Sequence, residues 1–295
     1  MGSFDCRRRL GENRYCDSRV RIGMGTYIAV DAEAPDTLSL ERGIEAAFQA
    51  ILLVERFMHP THQGSDLVAI HGSQAGTAVS VHPWTWEVLD ICKRVHHLSH
   101  GVFDPCLPQS AGGLNDIGMP EASVVTRRAP LSLDLGGVAK GYAVDQAVGA
   151  MIEAGCTAGL VNAGGDLRVF GPQGHDVVCR DQQGASQVLH LQETALATAC
   201  VDHPLRPAEH RGYYHGVRRT GIHSGSVAVI APSAAIADAL TKCLLIERQE
   251  SSGALLEAFG ARLVHCAHER PDEERHRRQS LRRCLEVAAL HCAGV

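Results

Sequence analysis

The 295-residue sequence reads as an α+β protein, with mixed sheets and packed helices, on three observations. Apolar residues recur at helical spacing in the first half, at Ile44, Ala47, Phe48, Ile51, Leu52 and Met58 and again at Trp86, Leu89, Val95 and Leu98. From Val169 the pattern turns strand-like, through Asp176 to Cys179 and Val188 to Leu191, with Gly and Gln between them as turns. Strands and helices do not alternate at the regular spacing of βαβ units, which points away from a doubly wound sheet. The length suits one domain with tails, and 45% hydrophobic residues are ample for a core.

In chain order, residues 1–18 are expected to be a disordered N-terminus, 19–265 the folded domain and 266–295 a charged C-terminal helix or tail. Val20 to Asp31 reads as a strand containing Met24-Gly-Thr26. Asp36 to Ser39 supply the cap of the first helix. Val79 to Val81 is a short strand, and Pro83 opens a second helix whose end gathers His96, His97 and His100, where imidazoles complement the helix dipole. Gly101-Val-Phe-Asp-Pro105 turns the chain. Leu131 to Leu135 alternate as a strand, Gly136 and Gly137 follow at once, and a helix runs through Ala143, Ala147, Met151 and Ile152 to stop at Gly155. A last helix begins near Ser233, and Glu269 to Arg283 is a dense mixed-charge run suited to a solvated surface.

A formal net charge of −5 speaks against nucleic acid as a partner, because phosphate backbones demand concentrated Lys and Arg. Eleven cysteines cannot all pair, and none falls in a C-x-x-C, so a reduced compartment fits best. No apolar run of about 18 residues is present to span a membrane. The N-terminal residues lack an apolar signal core, so the sequence as written is expected to be cytoplasmic.

The stretch with chemical content is Leu131 to Gly165. Without Cβ atoms, Gly136 and Gly137 let backbone N–H groups approach an anion, and the helix start behind them adds partial positive charge. Lys140, one turn into that helix, could hold a phosphate or carboxylate, and Asp134 could accept from a hydroxyl or ring N–H. Read alone, the same residues are slightly better described as a tight turn with a solvated lysine and a capping aspartate. The stretch is neither G-x-x-x-x-G-K-[ST] nor G-x-G-x-x-G, which excludes P-loop and Rossmann fingerprints.

Asp134-Leu-Gly-Gly-Val-Ala-Lys-Gly-Tyr-Ala-Val-Asp145, followed by Asn162-Ala-Gly-Gly-Asp-Leu167, closely resembles the signature of the ApbE-type FAD:protein FMN transferases. Met24-Gly-Thr26, Gly101 to Pro105, Ala197-Thr198, Arg219-Thr-Gly221 and Ala237-Asp-Ala-Leu240 fall in the expected order, so the resemblance spans roughly Arg19 to Leu245. It implies an ApbE-like fold and an enzyme that moves FMN from FAD onto a Thr or Ser hydroxyl of an acceptor flavoprotein, releasing AMP. It further implies Met24, Val102, Phe103, Asp104, Asp134, Gly136 and Lys140 as residues that bind FAD, and the Gly137 carbonyl with Asp238 as ligands of Mg²⁺. His215 is the implied catalytic base. Because members are often periplasmic lipoproteins, the resemblance leaves two alternatives open: a true cytoplasmic form, or a periplasmic one whose N-terminus is mis-assigned.

Three departures stand against that pattern. Ala199-Cys200 occupies the place of a Ser-Gly, and the loop at His215-Gly-Val-Arg-Arg-Thr-Gly221 is shortened and lacks its Asp-Pro. Four residues after Asp238, where the pattern has threonine, stands Lys242, whose charged ammonium has no lone pair for a metal. Either Lys242 simply pairs with Asp238 and the metal site is lost, or its ammonium itself neutralises pyrophosphate charge. The departures keep two alternatives open: an FAD-binding protein that has lost transfer, and an FAD pyrophosphatase in which water replaces the acceptor hydroxyl.

Overall fold

Between Thr26 and Ala34 the residues Ile28, Val30, Ala32 and Ala34 are buried while those between them are less so, as a strand with one face on a core requires. The computed structural model describes residues 8–9, 14–180, 186–201, 213–214, 216–217, 221–222, 225–247 and 252–267. Its strands are Arg8–Arg9 (β1), Tyr15–Gly23 (β2), Thr26–Ala34 (β3), Val79–Ser80 (β4), Ile117–Glu121 (β5), Val124–Arg127 (β6), Ala158–Ala163 (β7), Asp166–Phe170 (β8), His175–Arg180 (β9), Ser186–Leu191 (β10), Ala195–Cys200 (β11), Tyr213–Tyr214 (β12), Gly221–Ile222 (β13), Ser226–Ala231 (β14) and Arg262–Ala267 (β15). The helices are Thr37–Met58 (α1), Asp66–Gly72 (α2), Pro83–Leu98 (α3), Ala139–Glu153 (α4), Ala234–Ile246 (α5) and Ser252–Ala258 (α6).

Among the described residues the main sheet has eight strands in the order β1-β2-β3-β7-β8-β11-β14-β15. Each neighbouring pair is antiparallel. Helices α1, α4 and α5 cover one face, and the β9–β10 hairpin covers part of the other. Strand β14 displays both layers: Val227 and Val229 join the core under the helices, whereas Ala228 and Ile230 pack with Leu189 and Leu191 of β10. Each buried Val, Ile or Leu here contributes about 1.5–3 kcal/mol and the smaller Ala228 less, and burial on both faces is why this strand reads apolar throughout. The α+β class expected from the sequence is the one observed.

The helix starts follow from their side chains. Asp36 accepts from Ser39 N–H at 2.8 Å to cap α1, and Ser233 Oγ accepts from Ile236 N–H at 3.3 Å to cap α5. Helix α4 has no side-chain cap; its first turn is instead pressed onto α5, where a Cβ at Gly141 would overlap the Ala234 carbonyl.

Three expectations change. Val20 to Asp31 is a hairpin rather than one strand, because Met24 (φ 49) and Gly25 (φ 72) turn the chain between β2 and β3. Tyr15 to Ser18 belong to β2, paired with β3 from Ala34 onward, so the strand begins before the expected domain boundary. Leu131 to Leu135 forms no ladder strand: it makes a lone bridge between Leu133 and Cys106, with Asp134 N–H donating to the Pro105 carbonyl at 2.9 Å. His215, Arg219 and the charged run from Glu269 to Arg283 lie outside the described residues.

Candidate functional site

The turn between β2 and β3, the end of α1 and the start of α4 meet around a cleft of about 240 Å³. Met24, Glu55, Met58, Asp134, Gly136 and Lys140 are among its lining residues. Each is placed by local chemistry. Met24 holds its left-handed backbone by donating its N–H to Glu55 Oε1 at 3.0 Å. Asp134 Oδ1 accepts from Gly136 N–H at 2.8 Å, so that N–H serves its own turn rather than an incoming anion. The Lys140 ammonium folds back one helical turn to the Gly136 carbonyl at 3.1 Å.

Four of the residues expected to bind a cofactor, Met24, Asp134, Gly136 and Lys140, thus share one cleft. Val102, Phe103 and Asp104 are not among its lining residues: Val102 lines a separate pocket with Ser99 and Cys243, and the loop is tied to the cleft through Asp134 N–H, which donates to the Pro105 carbonyl. The side chains of Val102 and Phe103 are buried in the main core. The Phe103 N–H donates to Ser99 Oγ at 3.2 Å, and its carbonyl lies 2.7 Å from His96 Nδ1. Asp104 accepts from the N–H groups of Cys106 and Leu114, at 2.8 and 3.2 Å, and so shapes its own loop. Gly216 N–H donates to the Val102 carbonyl at 3.0 Å, so Gly216 sits against the same loop.

Behind the cleft lies a cluster of four charged side chains: Lys140, Asp166, Asp238 and Lys242. Asp166 opens β8 and is turned inward by the β7–β8 hairpin, where Gly164 (φ 64) and Gly165 (φ 100) are left-handed and Asn162 Oδ1 accepts from Gly165 N–H at 2.9 Å. Lys140 Nζ lies 3.1 Å from Asp166 Oδ2 and 3.6 Å from Asp238 Oδ2. Lys242 Nζ donates to Asp238 Oδ1 and to Thr241 Oγ1, the latter at 3.0 Å, and Gly141 N–H donates to Asp238 Oδ2 at 3.3 Å. A Cβ at Gly137 would touch Cγ and Cε of Lys242 at 3.4 Å, so the lysine stem runs alongside the diglycine turn.

The two carboxylates answer oppositely to this shared environment. Burial pushes Asp166 up to about 6, aided by the neighbouring Asp238 charge and only partly offset by the two lysines. Asp238 is equally sealed, but Lys140, Lys242 and the Gly141 N–H outweigh burial and hold it below the usual carboxylate range. Asp166 therefore carries the less favourable charge of the two, with no well-directed hydrogen bond to either oxygen among the described residues.

Sequence reasoning gave Asp166 and Asp145 no role. Asp145 on α4 accepts from the N–H groups of Ala234 and Ala235, both at 2.9 Å, and from Arg168 at 2.8 Å, so it fixes the start of the helix that carries Asp238. The position of Asp166 directly after a diglycine marks a turn and does not by itself reveal the burial of its carboxylate.

The Mg²⁺ implied by resemblance does not fit these residues. Magnesium takes oxygen ligands at about 2.0–2.1 Å. Asp238 already meets two ammonium groups and a backbone N–H, and Lys242 offers a positive charge where an oxygen is needed. Among the described residues no group of three or more His, Cys, Asp or Glu could hold a metal ion.

Sheet and helix layer together define an α+β protein with a cleft at the start of α4 that is lined by Lys140 and by the carboxylates of Glu55 and Asp134. The ApbE family model matches residues 24–111 and 108–264, and the chain belongs to the ApbE family. The fold is similar to that of solved structures covering nearly its whole length. The apo flavinyl transferase ApbE of Pseudomonas stutzeri is 18% identical with a TM-score of 0.74, over 92% of this chain and 94% of that one. The flavin transferase ApbE of Vibrio cholerae is 17% identical with a TM-score of 0.73, over 87% and 94%. The Thermotoga maritima ApbE protein is 18% identical with a TM-score of 0.69, over 88% and 98%. No curated protein sequence matches the chain significantly.

Proposed function

We propose that the chain is an FAD:protein FMN transferase. The observation that carries this is the single cleft uniting Met24, Asp134, Gly136 and Lys140, with a buried charge cluster directly behind its cationic residue. FAD enters with its pyrophosphate toward Lys140 and the start of α4, and Asp134 orients the nucleotide by accepting a hydrogen bond. An acceptor Thr or Ser oxygen attacks the FMN-side phosphorus, the bond from that phosphorus to the bridging oxygen breaks, and AMP departs with that oxygen. The hydroxyl proton passes to a base, assigned by resemblance to His215. Lys140 balances charge that grows on the phosphoryl oxygens, a contribution that requires its ammonium to be in place before the acceptor arrives.

A second reading, an FAD-binding protein without transfer, is favoured by one observation: Asp238 is held by Lys242 instead of facing a metal. The two separate in one assay. The chain is incubated with FAD and a peptide bearing a threonine in a family-type flavinylation motif, and the products are read by mass spectrometry. Transfer gives FMN-modified peptide and AMP in equal amounts. Bound FAD with unmodified peptide and no AMP contradicts transfer, and free FMN with AMP identifies hydrolysis.

A further inference from the structure

We infer that Lys242 replaces a divalent cation as the counter-charge of Asp238, so that this chain meets the pyrophosphate of FAD with its own lysines and without metal. The inference rests on the flavin reading above. Asp238 is wholly buried, and both its oxygens are engaged, Oδ1 by the Lys242 ammonium and Oδ2 by Gly141 N–H at 3.3 Å with Lys140 at 3.6 Å. The Lys242 side chain is 6% exposed, lies along Gly137 and bonds to Thr241, so its charge is fixed in position. A dication placed on Asp238 would meet that ammonium at short range in a site sealed from water, where repulsion is weakly screened.

Charge balance explains why the cluster tolerates this arrangement. Among the described residues, Asp166 faces Lys140, and Asp238 faces both Lys140 and Lys242. Lys140 is the member that reaches the cleft, with its side chain 24% exposed. With Lys242 on Asp238, Lys140 is not required to neutralise both carboxylates and can answer an incoming phosphate. Replacing Lys242 by a neutral residue leaves an excess negative charge, which draws Lys140 inward, repels pyrophosphate and invites a dication. Lys242 is a positioning residue: it acts through Asp238 and Lys140. A purely structural lysine would change stability on substitution but would not create a metal requirement.

The test uses the full chain. FAD affinity is measured by flavin fluorescence in EDTA and in excess MgCl₂, and uptake of Mn²⁺ alone is followed by electron paramagnetic resonance. The affinities agree within about twofold, and the chain takes up no Mn²⁺ in the absence of FAD. In Lys242→Thr, which puts an oxygen one turn from Asp238, FAD affinity in EDTA falls by about tenfold or more, Mg²⁺ restores it, and Mn²⁺ binds. A tenfold loss of wild-type affinity on chelation, or Mn²⁺ uptake by the wild type, overturns the inference. Absence of FAD binding under both conditions instead removes the flavin reading, and the inference with it. The wild-type measurements decide the matter on their own if Lys242→Thr fails to fold.

Discussion

Two diglycines border the charge cluster, and they are glycine for different reasons. In the β7–β8 turn Gly164 and Gly165 are left-handed, and a Cβ on either would run into a threonine, Thr26 or Thr198. At the start of α4 neither Gly136 nor Gly137 has positive φ. Gly136 instead brings its N–H to Asp134, and Gly137 leaves room for the Lys242 stem. One pair is imposed by backbone conformation and the other by what must pass beside it. Identical dipeptides therefore carry different sensitivities, stability in the first case and ligand chemistry in the second.

The largest expected effect breaks the first pair. Gly165→Ala combines a left-handed backbone, costing about 1–2 kcal/mol, with overlap on Thr198, costing about 1–3 kcal/mol. Urea unfolding should show the sum, and Thr198→Ala in the same chain should recover the overlap while leaving the backbone cost. The parallel change in the other turn is milder: Gly137→Ala meets Lys242 at 3.4 Å and should cost less than about 1 kcal/mol, while weakening FAD binding as the lysine is displaced. Equal stability losses in the two variants would erase the distinction.

A smaller effect separates the turns by pH. His71 Nε2 accepts from Leu133 N–H at 2.7 Å and thereby anchors the segment leading to Gly136. Burial, with a lesser contribution from Arg127, lowers the His71 pKa from 6.5, so the folded state favours the neutral ring. Its contribution is present above pH 6.5 and lost as pH falls through the lower folded value, where Nε2 gains a proton and ceases to accept. Hydrogen-exchange protection of Leu133 N–H should then drop. Gly165 N–H, held by the non-titrating Asn162, should keep its protection. Loss at both would show general loosening instead of a local histidine effect.

Much of the architecture was legible because it rests on local chemistry. Helix α1 announces itself through Asp36 and an apolar stripe, and α5 through Ser233. The β2–β3 hairpin was not legible, since a methionine at φ 49 belongs to no turn signature. Nor was β14, whose six buried residues show no alternation because both faces are covered. In the site, the Asp238–Lys242 spacing already implied a pair on one helix face. Asp166 remained silent because its burial and its charge partners come from α4 and α5, far along the chain.

The measurement that tests the central claim most directly is a crystal structure of the chain with FAD grown in MnCl₂, using anomalous scattering to locate manganese. FAD should occupy the cleft of Met24, Asp134 and Gly136 with its pyrophosphate at Lys140, and no anomalous peak should lie beside Asp238. FAD bound elsewhere, or manganese on Asp238 with Lys242 swung away, would contradict a cleft in which lysine stands in for metal.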